Sequence, residues 1–378
     1  MGRFGLVITL YIAIYGGMTW LVLSSLVRVL ALRGIAVWIC NMWGALMVVS
    51  PLLLRRWDGL GHSELRHIAA WIAYVWMGFV FFAFCLLLLF FVFRILFWRR
   101  RVALSDLGLK CCSSIALFLA FLCCLLGYSQ AWDIKVNYIK VETAKLPPEW
   151  PYVRVAQISD IHLGLIVRED RLKKIVEAIE ASSSHLVVST GDLVDGQMDG
   201  RQKEIDLLQS LSAPLGKFAV TGNHEVYAGL NQATSFIEEC GFQVIRNEVL
   251  NLAPLLLAGV DDDDIKMAES FSPSEQNLLS SLSPHRFRLF LKHRPIVMED
   301  SIDFFDLQLS GHVHGGQMWP FTLVTRAVYP MGTGLHRLKN EVMLYVTSGA
   351  GTWGPPMRFL ATPEVVIIDI VNSETAKK

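Results

Sequence analysis

The stretch YVRVAQISDIH, residues 152–162, decides the fold of the second half of this 378-residue chain. Its first seven residues, Tyr152–Ile158, are rich in apolar and β-branched side chains, a pattern that predicts a buried strand. Its last four, Ser159–His162, bring a carboxylate and an imidazole to the end of that strand. A single Asp-x-His pair is a weak signal, so its meaning depends on the motifs that follow it.

Four more polar motifs follow later apolar runs, each at the point where a predicted strand ends. They are GDLVD at 191–195, GNHE at 222–225, KH at 292–293 and GHVHGGQ at 311–317. Ligand sites of α/β sheets lie outside the carboxyl ends of the strands, so the five motifs are expected to converge at one edge. Five motifs in this order are far more specific than any one of them.

Short runs rich in Val, Ile and Leu alternate with amphipathic segments from Tyr152 onward, which predicts an α/β domain with a core sheet. Strands are predicted at Tyr152–Ile158, Leu186–Ser189, Phe218–Val220, Leu255–Ala258, Phe287–Leu291, Leu307–Leu309, Val342–Val346 and Val365–Ile370. Helices are predicted at Arg168–Ala181, Gln202–Leu211 and Leu230–Cys240.

Seven side chains in the motifs can bind a metal ion through a carboxylate, an imidazole or an amide carbonyl. They are Asp160, His162, Asp192, Asn223, His293, His312 and His314. This mixture suits Mn²⁺, Fe or Zn²⁺ better than a thiolate-preferring ion. Seven donors exceed what one catalytic ion needs, since such an ion also keeps an open position. We therefore predict two divalent metal ions, either Mn, Fe or Zn.

One bridging carboxylate divides the seven ligands into two sets of four, and Asp192 is the predicted bridge. The first set is completed by Asp160, His162 and His314, and the second by Asn223, His293 and His312. Two ions about 3.5–4 Å apart can hold a bridging hydroxide that attacks phosphorus in line.

Other residues in or near the motifs are candidates for supporting roles. His224 is predicted to contact the phosphoryl oxygens and to protonate the leaving group. Asp195 is a candidate to hydrogen-bond a metal ligand. Gln317 is a candidate for shaping the pocket. Arg358 is a candidate for contacting a substrate phosphate, with an ion pair to a carboxylate as the alternative.

An acidic run, Asp261–Asp264, also follows a predicted strand and offers further carboxylates. Like charges packed together are usually solvated. We therefore predict a solvated loop there in preference to another metal site.

The five motifs resemble those of the calcineurin-like metallophosphoesterase family: D-x-H, G-D-x-x-D, G-N-H-[DE], a lone His and G-H-x-H, in that order. The likeness covers about Val153–Ile370. Gly311–Gln317, Trp319–Phe321 with Gly332–Leu335, and Ser348–Arg358 are similar to the YkuE-like branch of membrane-associated bacterial phosphoesterases. The resemblance implies a four-layer αββα sandwich and the ligand roles given above. It also implies hydrolysis of phosphodiester or pyrophosphate bonds, some of them lipid-linked, as in UDP-2,3-diacylglucosamine.

The two halves of the chain differ in charge. Residues 1–128 hold eleven Lys/Arg and three Asp/Glu, whereas the remaining residues hold 23 Lys/Arg and 31 Asp/Glu, so the formal net charge of zero is a cancellation. Nucleic-acid binding relies on clustered Lys/Arg, so the acidic second half argues against a nucleic-acid partner.

Four stretches of the first half carry no charge and approach or exceed the ~20 residues that cross a bilayer as a helix. They are Phe4–Val27, Gly34–Leu54, Ile68–Phe93 and Cys111–Tyr128. We predict a transmembrane region of about four helices at 1–128, a linker at 129–150 and a metallophosphoesterase domain at 151–378. The spans contain essentially no ionisable residues, which disfavours a transporter or channel.

The positions of the basic residues predict a multi-pass protein of a bacterial inner or plasma membrane, with an extracytoplasmic catalytic domain. The first and third loops hold seven Lys/Arg, against four for the N-terminus and second loop, and Arg99–Arg101 supply most of the margin. Lys135, Lys140 and Lys145 oppose this orientation.

We therefore expect a metal-dependent hydrolase of phosphodiester or pyrophosphate bonds that acts at a membrane on a lipid or envelope precursor. The alternative is a membrane-bound, metal-containing binding or scaffolding protein without turnover. The complete ligand set and His224 favour the enzyme. The sequence leaves open the substrate, the ester class, the metal and the oligomeric state.

Overall fold

The computed structural model of the chain describes residues 3–56, 64–97, 105–196, 198–268 and 274–374. It contains two compact units, one of Met1–Ser129 with Gly354–Met357 and the other of Gln130–Trp353 with Arg358–Lys378. Arg99–Arg101, on which the predicted membrane orientation rests, lie outside the described residues.

The first unit is built from apolar helices. They are α1 Arg3–Val29, α2 Ile35–Arg56, α3 Glu64–Phe97 and α4 Asp106–Ala131. Each contains a stretch long and apolar enough to cross a membrane, in agreement with the four charge-free stretches of the sequence. Many large apolar side chains on these helices are exposed, among them Trp38 at 71%. Such side chains suit contact with lipid, so these helices can form a transmembrane bundle.

The second unit contains two six-stranded sheets within its described residues. The strands are β1 Lys135–Thr143, β2 Tyr152–Ile158, β3 Leu186–Ser189, β4 Lys217–Ala219, β5 Gln243–Val244, β6 Glu248–Asn251, β7 Leu255–Gly259, β8 Phe287–Leu291, β9 Leu307–Ser310, β10 Gly334–Arg337, β11 Met343–Val346 and β12 Glu364–Asn372. The helices are α5 Glu169–Ser182, α6 Gln202–Gln209, α7 Asn223–Ala228, α8 Leu230–Glu239, α9 Asp263–Ala268, α10 Glu275–Leu279 and α11 Phe321–Val328.

Both sheets are mixed but parallel at their centres. The strand orders are β1-β12-β2-β3-β4-β5 and β10-β11-β9-β8-β7-β6. Strands β2 to β5 run parallel, as do β7, β8, β9 and β11, whereas β12, β6 and β10 pair antiparallel to their neighbours β2, β7 and β11. Loops that follow β2, β3 and β4 therefore leave the first sheet at one edge, and those after β8 and β9 leave the second in the same way.

Side-chain alternation along the strands produces the layers. On β2, Val153 and Val155 enter an apolar core shared with Leu257 and Leu289 of the second sheet. Sheet therefore packs on sheet in the middle of the domain.

The opposite faces of both sheets are covered by helices. Ile158 on β2 packs with Ile175 of α5, and Phe290 on β8 packs with Leu279 of α10. The order helix, sheet, sheet, helix confirms the expected αββα architecture.

The predicted linker at 129–150 contains regular elements, because α4 continues to Ala131 and β1 begins at Lys135. Strand β1 pairs in parallel with β12 from Lys135↔Glu364 to Thr143↔Asn372. It escapes detection because it is an edge strand with Lys, Asn and Glu among its apolar residues, a composition that discourages pairing with other chains. Its partner lies at the far end of the sequence.

The strand in the predicted linker can be tested at Val141, which is 2% exposed in the core between the sheets. A Val141→Asp substitution buries an unpaired carboxylate and is expected to lower the free energy of unfolding on the order of 3 kcal/mol. The measurement is the thermal unfolding midpoint of the full chain in detergent. Tyr138→Asp, at an exposed position of the same strand, is the control and should have little effect. A flexible linker would make the two variants equivalent.

Candidate metal centre

The structure brings all seven predicted metal ligands together. Asp160 and His162 follow β2, Asp192 follows β3, Asn223 follows β4, His293 follows β8, and His312 and His314 follow β9. Six are buried and His312 is half-buried. Their loops meet because the strands they follow end at one side of the domain.

Three of these side chains form a first cluster of donor atoms. Nε2 of His162 lies 3.0 Å from Nε2 of His314, which lies 3.5 Å from Oδ1 of Asp160. The three donor atoms lie within 4.8 Å of one another. Nε2 of His162 is also 3.8 Å from Oδ2 of Asp192.

A second cluster centres on His293. Its Nε2 lies 3.2 Å from Oδ2 of Asp192, 3.2 Å from Oδ1 of Asn223 and 3.1 Å from Nδ1 of His312. The same Asp192 oxygen therefore approaches ligand atoms of both clusters. This is the position that a bridging carboxylate needs.

The imidazoles of the site differ in protonation. Nδ1 of His293 is 2.8 Å from the Thr190 carbonyl oxygen, and a hydrogen bond donated there turns Nε2 toward the cluster. Burial alone would lower the pKa of His293, but Asp192 raises it to about 10, so a metal ion bound there would replace a proton. Burial, helped by His293, lowers the pKa of His312 to about 3, and burial with Arg358 holds the pKa of His314 well below its usual value. Neutral imidazoles have the free lone pair that a metal ion binds.

Asp192 supplies negative charge to both clusters. Burial disfavours its ionised form, but His293 and His224 outweigh burial and hold its pKa well below the usual range. A charged carboxylate among buried imidazoles is a donor set into which a divalent cation fits.

The backbone at the site adopts an uncommon conformation. Positive φ angles occur at five predicted ligands: Asp160 (53°), His162 (57°), Asp192 (53°), His312 (72°) and His314 (48°). Residues other than glycine rarely adopt this left-handed region, and each instance costs on the order of 1–3 kcal/mol. Five such conformations at one site indicate that the surrounding fold, and not local preference, sets the direction of these side chains.

Close backbone approach explains one motif glycine. A Cβ at Gly222 would lie 2.7 Å from the backbone nitrogen of Asp192. A larger residue at 222 would therefore push apart the loops that carry Asp192 and Asn223.

Glu225 joins these two loops, a role that the motif comparison alone did not reveal. Its buried carboxylate accepts hydrogen bonds from the backbone N–H groups of Asp192 (3.0 Å), Leu193 (2.8 Å), Val194 (3.3 Å) and Gly222 (2.6 Å). The signal was present in the sequence, since glutamate three residues after a helix N-cap forms half of a capping box. Its bonds to the other loop depend on the tertiary fold.

Asp195 lies closer to His224 than to a metal ligand. Its Oδ1 is 2.7 Å from Nδ1 of His224 but 3.7 Å from Nδ1 of His162, too far for a hydrogen bond. Burial alone would lower the pKa of His224, but Asp192 and Asp195 overcome it and raise the pKa to about 9. His224 can therefore carry a proton at neutral pH.

Gln317 and Arg358 lie around the site without entering it. The side-chain amide of Gln317 donates to the backbone carbonyl of Trp353 (2.8 Å) and accepts from its backbone N–H (2.9 Å). These bonds hold the backbone of Trp353, whose ring lies 5.6 Å from that of His224. Arg358 is fully buried and donates to the carbonyls of His314 (2.6 Å) and Gly351 (2.7 Å). The contact of Arg358 with substrate stays a prediction; its guanidinium binds carbonyl groups of the loops that carry His314 and Gly351.

The prediction of a solvated acidic loop at Asp261–Asp264 is also wrong in part. Asp261 and Asp262 are 2% and 3% exposed, because Arg246 binds the first carboxylate (3.0 Å) and Arg294 the second (2.8 Å). These arginines come from other segments of the chain. The local run of acidic residues therefore could not reveal that Asp261 and Asp262 are buried.

The role of Glu225 can be tested through metal affinity. Glu225→Ala leaves four backbone N–H groups without their acceptor and should weaken Mn²⁺ binding about 10–100-fold, as expected for loss of a group that positions ligands. Isothermal titration calorimetry of the full chain in detergent measures this. Glu239→Ala, at an exposed glutamate of α8, is the control. An unchanged affinity in the Glu225 variant would contradict the role.

Comparison with known proteins gives a consistent family. The calcineurin-like phosphoesterase family model matches residues 153–316. A metallophosphoesterase from Aquifex aeolicus is 36% identical over 258 residues, covering 67% of this chain and 98% of its own length. The metallophosphoesterase YkuE of Bacillus subtilis is 32% identical, covering 65% of this chain and 91% of its own length.

A relative from Danio rerio is named a transmembrane protein with metallophosphoesterase domain. It is 28% identical, and the match covers 62% of this chain and 56% of the relative. That name and the four apolar helices support membrane association of the present chain. The motifs, the fold and these matches lead to one conclusion: the chain belongs to the calcineurin-like metallophosphoesterase family.

Proposed function

We propose that the chain is a binuclear metal-dependent hydrolase of phosphodiester or pyrophosphate bonds in a lipid or envelope precursor. The observation that carries the proposal is the pair of donor clusters that share one oxygen of Asp192, with His224 beside them. Family membership makes phosphoester hydrolysis the expected reaction class.

The proposed ligand sets follow the two clusters. Asp160, His162, Asp192 and His314 would hold one divalent ion, and Asp192, Asn223, His293 and His312 the other, with Mn, Fe or Zn suited to these donors. When bound, such a pair activates water as a nucleophile and neutralises charge on the phosphate.

His224 supplies the chain's own acid in this proposal. Its ring centroid lies 4.5 Å from that of the ligand His162, and Asp195 engages its Nδ1. With Nδ1 beside Asp195, Nε2 is the nitrogen that would donate a proton to a phosphoryl or leaving-group oxygen as the ester bond breaks. A phosphate that binds the clusters would lie beside this group.

The lipid part of the proposal rests on the tether. Only residues 132–134 separate α4 from β1. A domain attached this closely to membrane-spanning helices works at a bilayer surface, where lipid-linked phosphates are its most accessible substrates. We further propose a multi-pass bacterial membrane protein with an extracytoplasmic catalytic domain, which protease accessibility of the C-terminus in spheroplasts tests.

The alternative, a metal-containing binding or scaffolding protein without turnover, makes no use of the His224–Asp195 pair. A metal used only as a scaffold needs no proton donor with a raised pKa beside it. The two hypotheses differ in turnover, so catalytic measurements separate them.

The two-ion assignment predicts the metal content of variants. Wild-type full chain should retain two Mn²⁺ after dialysis, and His314→Ala and His293→Ala should each retain one, because each removes a ligand from a different cluster. Elemental mass spectrometry gives the ratio, and His285→Ala, at an exposed histidine outside the motifs, is the control. One ion per wild-type chain would contradict the assignment.

The acid role predicts a dependence on the leaving group. His224→Asn should slow hydrolysis of an alkyl phosphodiester about 100-fold or more, since an alkoxide needs a proton to leave. Hydrolysis of bis-p-nitrophenyl phosphate should fall much less, because p-nitrophenolate leaves without one. Steady-state kinetics of the Mn²⁺-loaded chain measures both substrates.

Asp192→Asn is the reference for loss of the metal site and should reduce both rates equally. Equal losses on the two esters in His224→Asn would contradict the acid role. A wild-type chain with no rate above Asp192→Asn on these esters and on lipid pyrophosphates would contradict the hydrolase.

A further inference from the structure

Helix α11 presents its apolar residues to solvent. Phe321, Leu323, Val324 and Val328 are 49%, 63%, 53% and 65% exposed, and no residue of the helix is buried. These four residues and Ala327 occupy one continuous side of the helix, as their spacing at 100° per residue requires. A surface helix of a soluble protein normally turns this side inward.

The polar side of α11 faces the domain instead. Thr322 donates a hydrogen bond to the Gly315 carbonyl (3.0 Å), and Thr322, Thr325 and Arg326 line a cavity of about 300 Å³ in the domain. The helix is therefore amphipathic, but its polar side faces the domain and its apolar side faces solvent. Its exposed apolar side requires a cover that the second unit does not provide within its described residues.

Residues that flank α11 in the sequence are also apolar and exposed. Trp319, Met331 and Leu335 are 49%, 37% and 38% exposed. We call Trp319, Phe321, Leu323, Val324, Val328, Met331 and Leu335 the α11 patch. Tryptophan and leucine on such a surface are typical of segments that lie at a membrane–water interface.

The segment that carries the α11 patch is basic in sequence, in contrast to the domain as a whole. Residues 318–340 contain Arg326, Arg337 and Lys339 but no Asp or Glu, although acids outnumber bases from residue 129 onward. Arg337 is exposed and pairs with the exposed Glu341 (3.4 Å). Apolar side chains beside cations match an anionic lipid surface.

We propose that the α11 patch docks into the headgroup region of an anionic lipid bilayer, with α11 lying in the plane of the interface. Four helices of the same chain are long and apolar enough to cross a membrane, so the chain that carries the α11 patch would be held at a bilayer. A second copy fits the patch less well, because two copies would bring the same cations together.

Docking at α11 would bring the metal centre to the depth of lipid phosphates. Thr322 binds the loop that carries His314, and the ring of Tyr329, just after α11, lies 5.3 Å from that of His312. This consequence for substrate access rests on the proposed function, whereas the docking itself does not.

Photocrosslinking tests the proposal without relying on catalysis. The full chain carries p-benzoylphenylalanine in place of Leu323 and is reconstituted in nanodiscs of phosphatidylcholine and phosphatidylglycerol. We expect phospholipid adducts several-fold above those from the same label in place of Lys203, an exposed residue of α6. Adding Arg337→Glu, at an exposed cation of β10, to the Leu323-labelled chain should lower the adduct yield.

Mass spectrometry of the irradiated chain separates the outcomes. Adducts no more frequent at 323 than at 203 would overturn the proposal, as would a product in which 323 is joined to a second copy of the chain. A chain that forms the adducts but hydrolyses no phosphoester would retain the docking surface and lose the proposed function.

Discussion

The position of one carboxylate, Asp192, is the constraint on which the site depends. Its Oδ2 atom lies 3.2 Å from Nε2 of His293 and 3.8 Å from Nε2 of His162. Its Oδ1 atom accepts a hydrogen bond from the backbone N–H of His224 (2.8 Å). Glu225 in turn accepts a hydrogen bond from the backbone N–H of Asp192. The buried carboxylate of Glu225 therefore fixes the loop that carries the carboxylate of Asp192. The other predicted ligands reach the site because the parallel strands at the centres of both sheets end at the same side of the domain.

The stability of this arrangement depends on contacts within the chain itself. Five predicted ligands have left-handed backbone conformations, which cost free energy that the surrounding fold must offset. Arg358 contributes by binding the His314 carbonyl, and Asp160 contributes by accepting the N–H of His312 (3.0 Å). The sandwich core provides the rigid base from which these loops extend.

Sequence reasoning located what is encoded locally. The strand at Tyr152–Ile158 and the seven predicted ligands that the structure brings together could be located because apolar runs and motif chemistry are adjacent in the chain. Strand β1 was missed because it is polar and pairs with the far end of the sequence. The burial of Arg358 and the preference of Asp195 for His224 depend on distances across the fold, which no local pattern contains.

The central claim is a binuclear centre bridged by Asp192, and electron paramagnetic resonance of the Mn²⁺-loaded full chain tests it most directly. With two equivalents of Mn²⁺ the wild type should give the multiline spectrum of an exchange-coupled pair, because two ions that share a carboxylate lie ~3.5–4 Å apart. Asp192→Ala should lose that coupling. A six-line spectrum of isolated Mn²⁺ from the wild type at this loading would contradict the account.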